Sequence, residues 1–291
     1  MGRYDRTAED VGNIVLLEHV NTRIPDQQLA TLFYVSGLGL TRDPYLMTGV
    51  DNMWVNVGRS QFHLPTGQAQ VLRGRTGLVI PDCDQLLKRL TAVRRRLEGT
   101  HCAFEQRDDC IEVTCPWGNR FRCHPPGERF AQMLLGVPYV EFDVPAGTAD
   151  GIARFYASVF HARSQVAEDA GGRFARVSSG AGQSLLFRER EASPAPYDGH
   201  HIAIYIADFS SPYMYLRERG LISEESDQHQ YRFLDIVDPD SGRPLFRIEH
   251  EVRSMRHPLY ARPLVNRNPT LSNVRYAPGY ENLSWSLPKP P

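Results

Sequence analysis

The chain has 291 residues, enough for one large hydrophobic core or two ordinary ones. Its 33 Lys and Arg balance 34 Asp and Glu, which excludes a general polyanion-binding surface. A hydrophobic fraction of 41% suits a globular protein, and no apolar run approaches the length of a membrane span.

The opening MGRYDRTAEDVGN lacks the apolar stretch of a secretory signal, and its sixth residue is not the Ser or Thr of a myristoylation motif. A cytoplasmic protein is expected, with residues 1–10 as an extension. From Leu17 a strand-like run, LEHVNTRIP, leads into DQQLATLFYVSGLGL. Leu29, Leu32, Phe33 and Val35 to Leu38 recur there at roughly helical spacing before a Gly-containing stop. DNMWVNVG and SQFHLPTG then read as short strands. The pattern returns as the strand RTGLVIPD, the amphipathic helix DQLLKRLTAVRRRLE and the strands of CIEVTCPWGNRFRCH. A third copy runs from VPYVEFDVP through GTADGIARFYASVFHA, where Phe155 and Tyr156 match Phe33 and Tyr34. A fourth runs from HIAIYIAD through SSPYMYLRERGL to the strands of YRFLDIVDPDSGRPLFRIEHE.

Each unit is thus a strand, a helix and about three strands, repeated four times at roughly 60 residues. Such a unit cannot close a core alone. Repeats one and two fill 11–130, and repeats three and four fill 131–253. The Pro-, Asn- and Arg-rich segment 254–291 reads as an extended strap over the body with a loosely ordered end.

Cys83, Cys102, Cys110, Cys115 and Cys123 fall in one quarter of the chain. An odd count without an export signal reads as reduced thiols, and the lack of a tight C-x-x-C pair disfavours structural zinc beside His101 and His124. The basic helix KRLTAVRRRL reads as a solvated face, because no aromatic interleaving or overall basicity points to nucleic acid.

The fourth repeat opens with His200 and His201 and closes near Glu249, two thirds of a 2-His-1-carboxylate metal site. EHVNTRIPD…LFYVSGLGL, GHHIAIYIAD and the D-P-D…E strand ending resemble the vicinal oxygen chelate superfamily over about residues 11–253. That superfamily includes glyoxalase I, extradiol dioxygenases and metal-free antibiotic-binding proteins. The resemblance implies an α+β protein of four βαβββ modules forming two open mixed β-barrels. It also implies ligands on the first and last strand of each module.

Carried over by position, the first module supplies His19 and Gln61, with His63 two residues on and on the same face. The fourth supplies His201 and Glu249, with Glu251 at the same strand parity. The second offers Arg75 and Arg122, which do not bind a cation, and the third Tyr139 and Gln183. Pairing module one with two and three with four, as the resemblance to ring-cleaving dioxygenases implies, leaves no complete site. Pairing one with four and two with three, as in double-length glyoxalases, explains why the ligand types segregate, and both pairings stay open. Under the second pairing, one divalent ion (Fe, Zn, Ni, Co or Mn) is expected on His19, Gln61, His201 and Glu249, with no organic cofactor. Glu249 doubles as general base. His63, Trp54, Tyr205 and Arg253 are expected to line the substrate pocket; a strap folding over the mouth would bring Arg253, Tyr260 and Arg262 to an anionic substrate, but plain surface solvation is the expected role of these three.

The implied chemistry is metal-dependent lyase or isomerase action on a small oxygenated organic substrate through an enediolate. A three-ligand Fe(II) site would instead suit an extradiol-type dioxygenase. A metal-free small-molecule-binding protein is the third alternative. The partner expected is a small-molecule substrate rather than nucleic acid or a membrane, and a homodimer is compatible with the reading.

Overall fold

In the computed structural model the described residues are 4–46, 49–131, 133–192, 194–269 and 273–274. Met1 to Arg3 of the expected extension, and 270–272 and 275–291 of the expected tail, lie outside them. The four repeats are present. The first comprises β1 (Ile14–Asn21), α1 (Gln27–Ala30), β2 (Thr41–Arg42), β3 (Asn52–Val57) and β4 (Ser60–Pro65). The second comprises β5 (Gly74–Val79), α2 (Cys83–Val93), β6 (Ala103–Gln106), β7 (Ile111–Thr114) and β8 (Arg120–His124). In the third are β9 (Gly136–Pro145), α3 (Ala149–Val159), β10 (Ser164–Asp169), β11 (Gly172–Ser178) and β12 (Ser184–Arg190). The fourth has β13 (His201–Ile206), α4 (Ser210–Glu218), β14 (Ile222–Asp227), β15 (Gln230–Val237) and β16 (Pro244–Ser254).

Two open, mixed eight-stranded sheets result. One runs β14-β15-β16-β13-β1-β4-β3-β2 and the other β10-β11-β12-β9-β5-β8-β7-β6. Repeats one and four therefore supply one sheet, and repeats two and three the other. No described helix is long and apolar enough to cross a membrane.

The helix expected after β1 takes a mixed form. Asp26 caps α1 by accepting from the backbone N–H of Gln28 and Leu29, and the turns then widen into a π-helix over Thr31–Gly37. The wider turn carries Phe33 and Tyr34, both buried.

The chain divides into two compact units, Met1–Leu17 with Phe142–Ala195 and Ala203–Tyr260, and Glu18–Glu141 with Pro196–Ile202 and Ala261–Pro291. In the second, Phe33, Tyr34, Phe62 and Phe121 form an aromatic cluster with ring centroids 5.0–6.0 Å apart. Its five cysteines are free thiols, and burial pushes Cys102 and Cys110 up to about 11. The basic residues Arg94, Arg95 and Arg96 are exposed, as a solvated helix face requires.

In the first unit, Phe155 and Tyr156 occupy the place that Phe33 and Tyr34 hold in repeat one. The Tyr156 hydroxyl meets Nε2 of His250 at 2.5 Å, and the imidazole stacks on Phe233 at 4.2 Å. Burial lowers the His250 pKa from its ordinary 6.5 to about 3, so the folded protein holds the ring neutral. An unfolded chain binds that proton below pH 6.5, so stability is fully present above 6.5 and falls with acid until about pH 3. The slope is roughly 1.4 kcal/mol per pH unit. A Tyr156→Phe/His250→Phe protein, which leaves no orphaned hydroxyl, should lose less stability in urea titrations between pH 6.5 and 4.5. An unchanged acid limb would remove His250 as its source.

Candidate metal centre

The candidate site grows from the register of three adjacent strands. β1 pairs with β4 in parallel, matching His19 with Gln61 and Asn21 with His63. β4 pairs with β3 antiparallel, matching Gln61 with Asn56 and His63 with Trp54. Because paired residues share a face, two rows form across the sheet: Asn56–Gln61–His19 and Trp54–His63–Asn21. His201 opens β13, the other neighbour of β1.

Nitrogen atoms of His19, His63 and His201 lie within 4.8 Å of one another, the only such grouping of His, Cys, Asp or Glu among the described residues. The His19 and His201 rings meet at 5.6 Å, and so do those of His19 and His63. Trp54 stacks flat on His63 at 3.8 Å and meets the His19 ring edge-on at 5.0 Å, so the indole fixes two imidazole planes at once. His19 is buried, and its Nδ1 contacts the carboxylate of Glu18. Its Nε2 is buried with no hydrogen-bond partner. A carboxylate on Nδ1 keeps the proton there and leaves the Nε2 lone pair for a ligand. The Asn21 amide nitrogen lies 2.6 Å from Nδ1 of His63, donates to it and fixes the plane of that ring.

Such partners of ligating histidines typically contribute 10- to 100-fold in metal affinity. Glu18→Gln, which keeps the shape and removes the charge, should therefore weaken zinc binding by about that factor. Competition against a chromophoric chelator reads it, and an unchanged affinity would mean that the Glu18 contact orients nothing.

Gln61 is placed in a separate network. Its amide donates to Asn56 Oδ1 at 2.6 Å and to Asp43 Oδ2 at 3.2 Å, and its oxygen receives Arg262 at 3.4 Å. Glu249 is half-buried on β16 and ion-paired to Arg232 at 2.5 Å. The same guanidinium holds Glu251 at 2.6 Å, and Arg253 holds it at 2.5 Å. Tyr205 is buried against Tyr260, at 4.9 Å between ring centroids, with Arg253 3.5 Å from its hydroxyl. His200 is buried and bound to Asp198 at 2.5 Å. Asp198 is anchored in turn by the backbone N–H of Val71. Burial pushes the Asp198 carboxyl up, but the hydrogen bonds from His200 and Val71 outweigh it and hold the pKa below the usual range.

The corresponding positions of repeats two and three carry Arg75, Arg122, Tyr139 and Gln183, each engaged by another neighbour. Arg75 pairs with buried Glu141 at 3.0 Å and Arg122 with Glu112 at 3.0 Å. Tyr139 meets His124 at 2.9 Å, and Gln183 bonds the backbone of Leu17 through both ends of its amide.

The structure brings together His19 and His201, both expected as ligands from the sequence, with His63, expected as a lining residue. Sequence reasoning passed over Glu18, Asn21 and Asp43. The acidic residue beside His19 was a signal for the first of these, and nothing local marked the other two.

The fold is shared with solved structures. Glyoxalase I from Zea mays superposes with a TM-score of 0.58 at 12% identity, over 82% of this chain and 92% of that one. A Bacillus subtilis protein named "putative dioxygenase" gives 0.56 at 15% identity, over 84% and 86%. The chain shares the fold of these two proteins. No family model matches the sequence, and no curated protein does either. One fold can carry different chemistries, so the activity must be argued from the site.

Proposed function

We propose that the protein is a divalent-metal-dependent vicinal oxygen chelate enzyme that acts on a small oxygenated organic substrate. The proposed ligands are His19, His63 and His201, with His63 in the place expected for Gln61. The observation that carries this reading is the convergence of three imidazoles from β1, β4 and β13, with a buried lone pair on His19 held toward the group by Glu18. Three neutral nitrogens suit zinc, cobalt, nickel or iron and leave open positions for substrate oxygens. When bound, the cation supplies Lewis acidity toward two neighbouring oxygens of the substrate. The chain's own residues orient and enclose: Glu18 holds the tautomer of His19, Asn21 positions the His63 ring, and Trp54 keeps water from one flank. Glu249 and Glu251 are committed to Arg232 and are left out of the ligand set.

Lyase or isomerase chemistry is the first reading. Dioxygenase chemistry is the second, favoured by one observation: with Gln61 engaged elsewhere, a three-donor site leaves room for both a bidentate substrate and oxygen. Elemental analysis of protein purified without chelators, beside His201→Ala, tests the proposal. About one metal per chain, lost in the variant, is the expected result. Iron together with oxygen uptake on catechols would select the second reading. Zinc, nickel or cobalt without oxygen uptake would select the first. A protein that takes up no metal on titration would be a metal-free binder, and the enzyme reading would fall.

A further inference from the structure

The segment that follows β16 returns to repeat one and is fastened there. Asn266 donates to the carbonyl of Gly58 at 2.8 Å and accepts from its N–H at 2.9 Å. The Val265 carbonyl accepts from Asn56 at 2.9 Å, and the Arg267 N–H donates to Thr41 Oγ1 at 2.9 Å. These anchors place Arg262 over the row that holds His19. Its Nη2 donates to Asp43 Oδ2 at 2.7 Å and lies 3.4 Å from Gln61 Oε1. Gln61 is the strand partner of His19, so the guanidinium stands one side-chain layer from the histidine group.

Two features distinguish Arg262 from a purely structural cation. Asp43 is fully buried and surrounded by donors: Arg262, Gln61 and the backbone N–H groups of Tyr45 and Leu46. Its charge is thereby spread, and the carboxylate acts as a fixed mount for the guanidinium. The hydrogen bonds of Arg262 to described residues all run through Nη2. With the side chain 17% exposed, Nη1 keeps its N–H groups for a charge-assisted hydrogen bond to another acceptor.

We propose that Arg262 is a specificity-determining residue that recognises a carboxylate on the ligand of the histidine site. This rests on the metal-centre reading above. The ligand is then a small organic anion with two roles divided over its length: a vicinal oxygen pair at the histidines and a separate carboxylate at Arg262.

A matched pair of probes tests this on the full chain loaded with zinc. Malate and 2-hydroxybutyrate share the 2-hydroxy acid head and differ in whether the far carbon is a carboxylate or a methyl group. Titration calorimetry should give malate an advantage of about tenfold or more, as a charge-assisted hydrogen bond would supply. Arg262→Gln should abolish the advantage and leave 2-hydroxybutyrate within about twofold, while Arg262→Lys should keep part of it. The Asn266→Ala protein, with the strap loosened and Arg262 intact, should show a reduced advantage. An equal malate-to-hydroxybutyrate ratio in the parent and Arg262→Gln proteins overturns the role of Arg262 and leaves the metal centre standing. Zinc uptake with no binding of either probe also overturns it. A chain that binds no zinc overturns the metal centre and this inference together.

Discussion

His63→Ala should purify nearly free of metal, whereas Gln61→Ala should retain it. The two residues lie on one strand, two apart and on one face, so each is stereochemically able to approach His19. What separates them is the company they keep. His63 is stacked by Trp54, oriented by Asn21 and within 4.8 Å of the other two imidazoles. Gln61 is engaged by Asn56, Asp43 and Arg262. Four-ligand zinc sites bind with about 10–16 kcal/mol, so each donor carries roughly 3 kcal/mol, or about two orders of magnitude in affinity. A drop of that size for His63→Ala, and of no more than about threefold for Gln61→Ala, is the expected pattern in equilibrium dialysis with zinc. The reverse pattern would restore Gln61 as the ligand and make His63 a lining residue.

Gly58→Ala should be among the most damaging single substitutions in the chain. Gly58 turns the β3–β4 hairpin with φ +65°, in the left-handed region, and its missing Cβ would sit 2.0 Å from the carbonyl oxygen of Leu135. Its N–H and C=O are both held by Asn266. A Cβ there costs about 1–2 kcal/mol in conformation alone. The overlap is with backbone, which has no rotamer to swing away, so the hairpin must move and both Asn266 bonds stretch. A total above about 4 kcal/mol follows. Gly99→Ala is the control: φ is +81°, and nothing lies within 4 Å of the added carbon. It should lose only the conformational part. Equal urea midpoints for the two proteins would show that the turn is not packed against Leu135.

Much of this architecture was legible in the chain. The repeat of strand, helix and three strands depends on local hydrophobic period, which survives in each copy independently of its neighbours. The placement of repeat one beside repeat four was legible because ligand-type residues cluster in those two copies and Arg75 and Arg122 stand at the equivalent positions of the second. That His63 rather than Gln61 stands beside His19 and His201 was not legible, since strand parity is identical for both and the difference lies in contacts from neighbouring strands. The state of Glu249 was hidden for a related reason: its partner Arg232 belongs to another strand, 17 residues away. The Arg262–Asp43 pair joins positions 219 residues apart, beyond the reach of any local pattern. The π-helical turn at Thr31–Gly37 has the same hydrophobic residues that an α-helix would use, so periodicity does not distinguish the two.

The strand order has a consequence for how the polypeptide is made. Repeats two and three are consecutive in the chain and share a sheet, so their pairing is complete once β12 has left the ribosome. β1 emerges first yet borders β13, almost 200 residues later in synthesis. At about 5–20 residues per second, its edge stays unsatisfied for roughly ten seconds or more, with hydrogen-bonding groups on offer to any passing strand. The half of the molecule that carries the three histidines is thus the last to close and the one most exposed to mispairing during translation. A nascent chain stalled after β12 should present one finished sheet and one open edge at β1, a state that a chaperone would engage and that release of the fourth repeat would end.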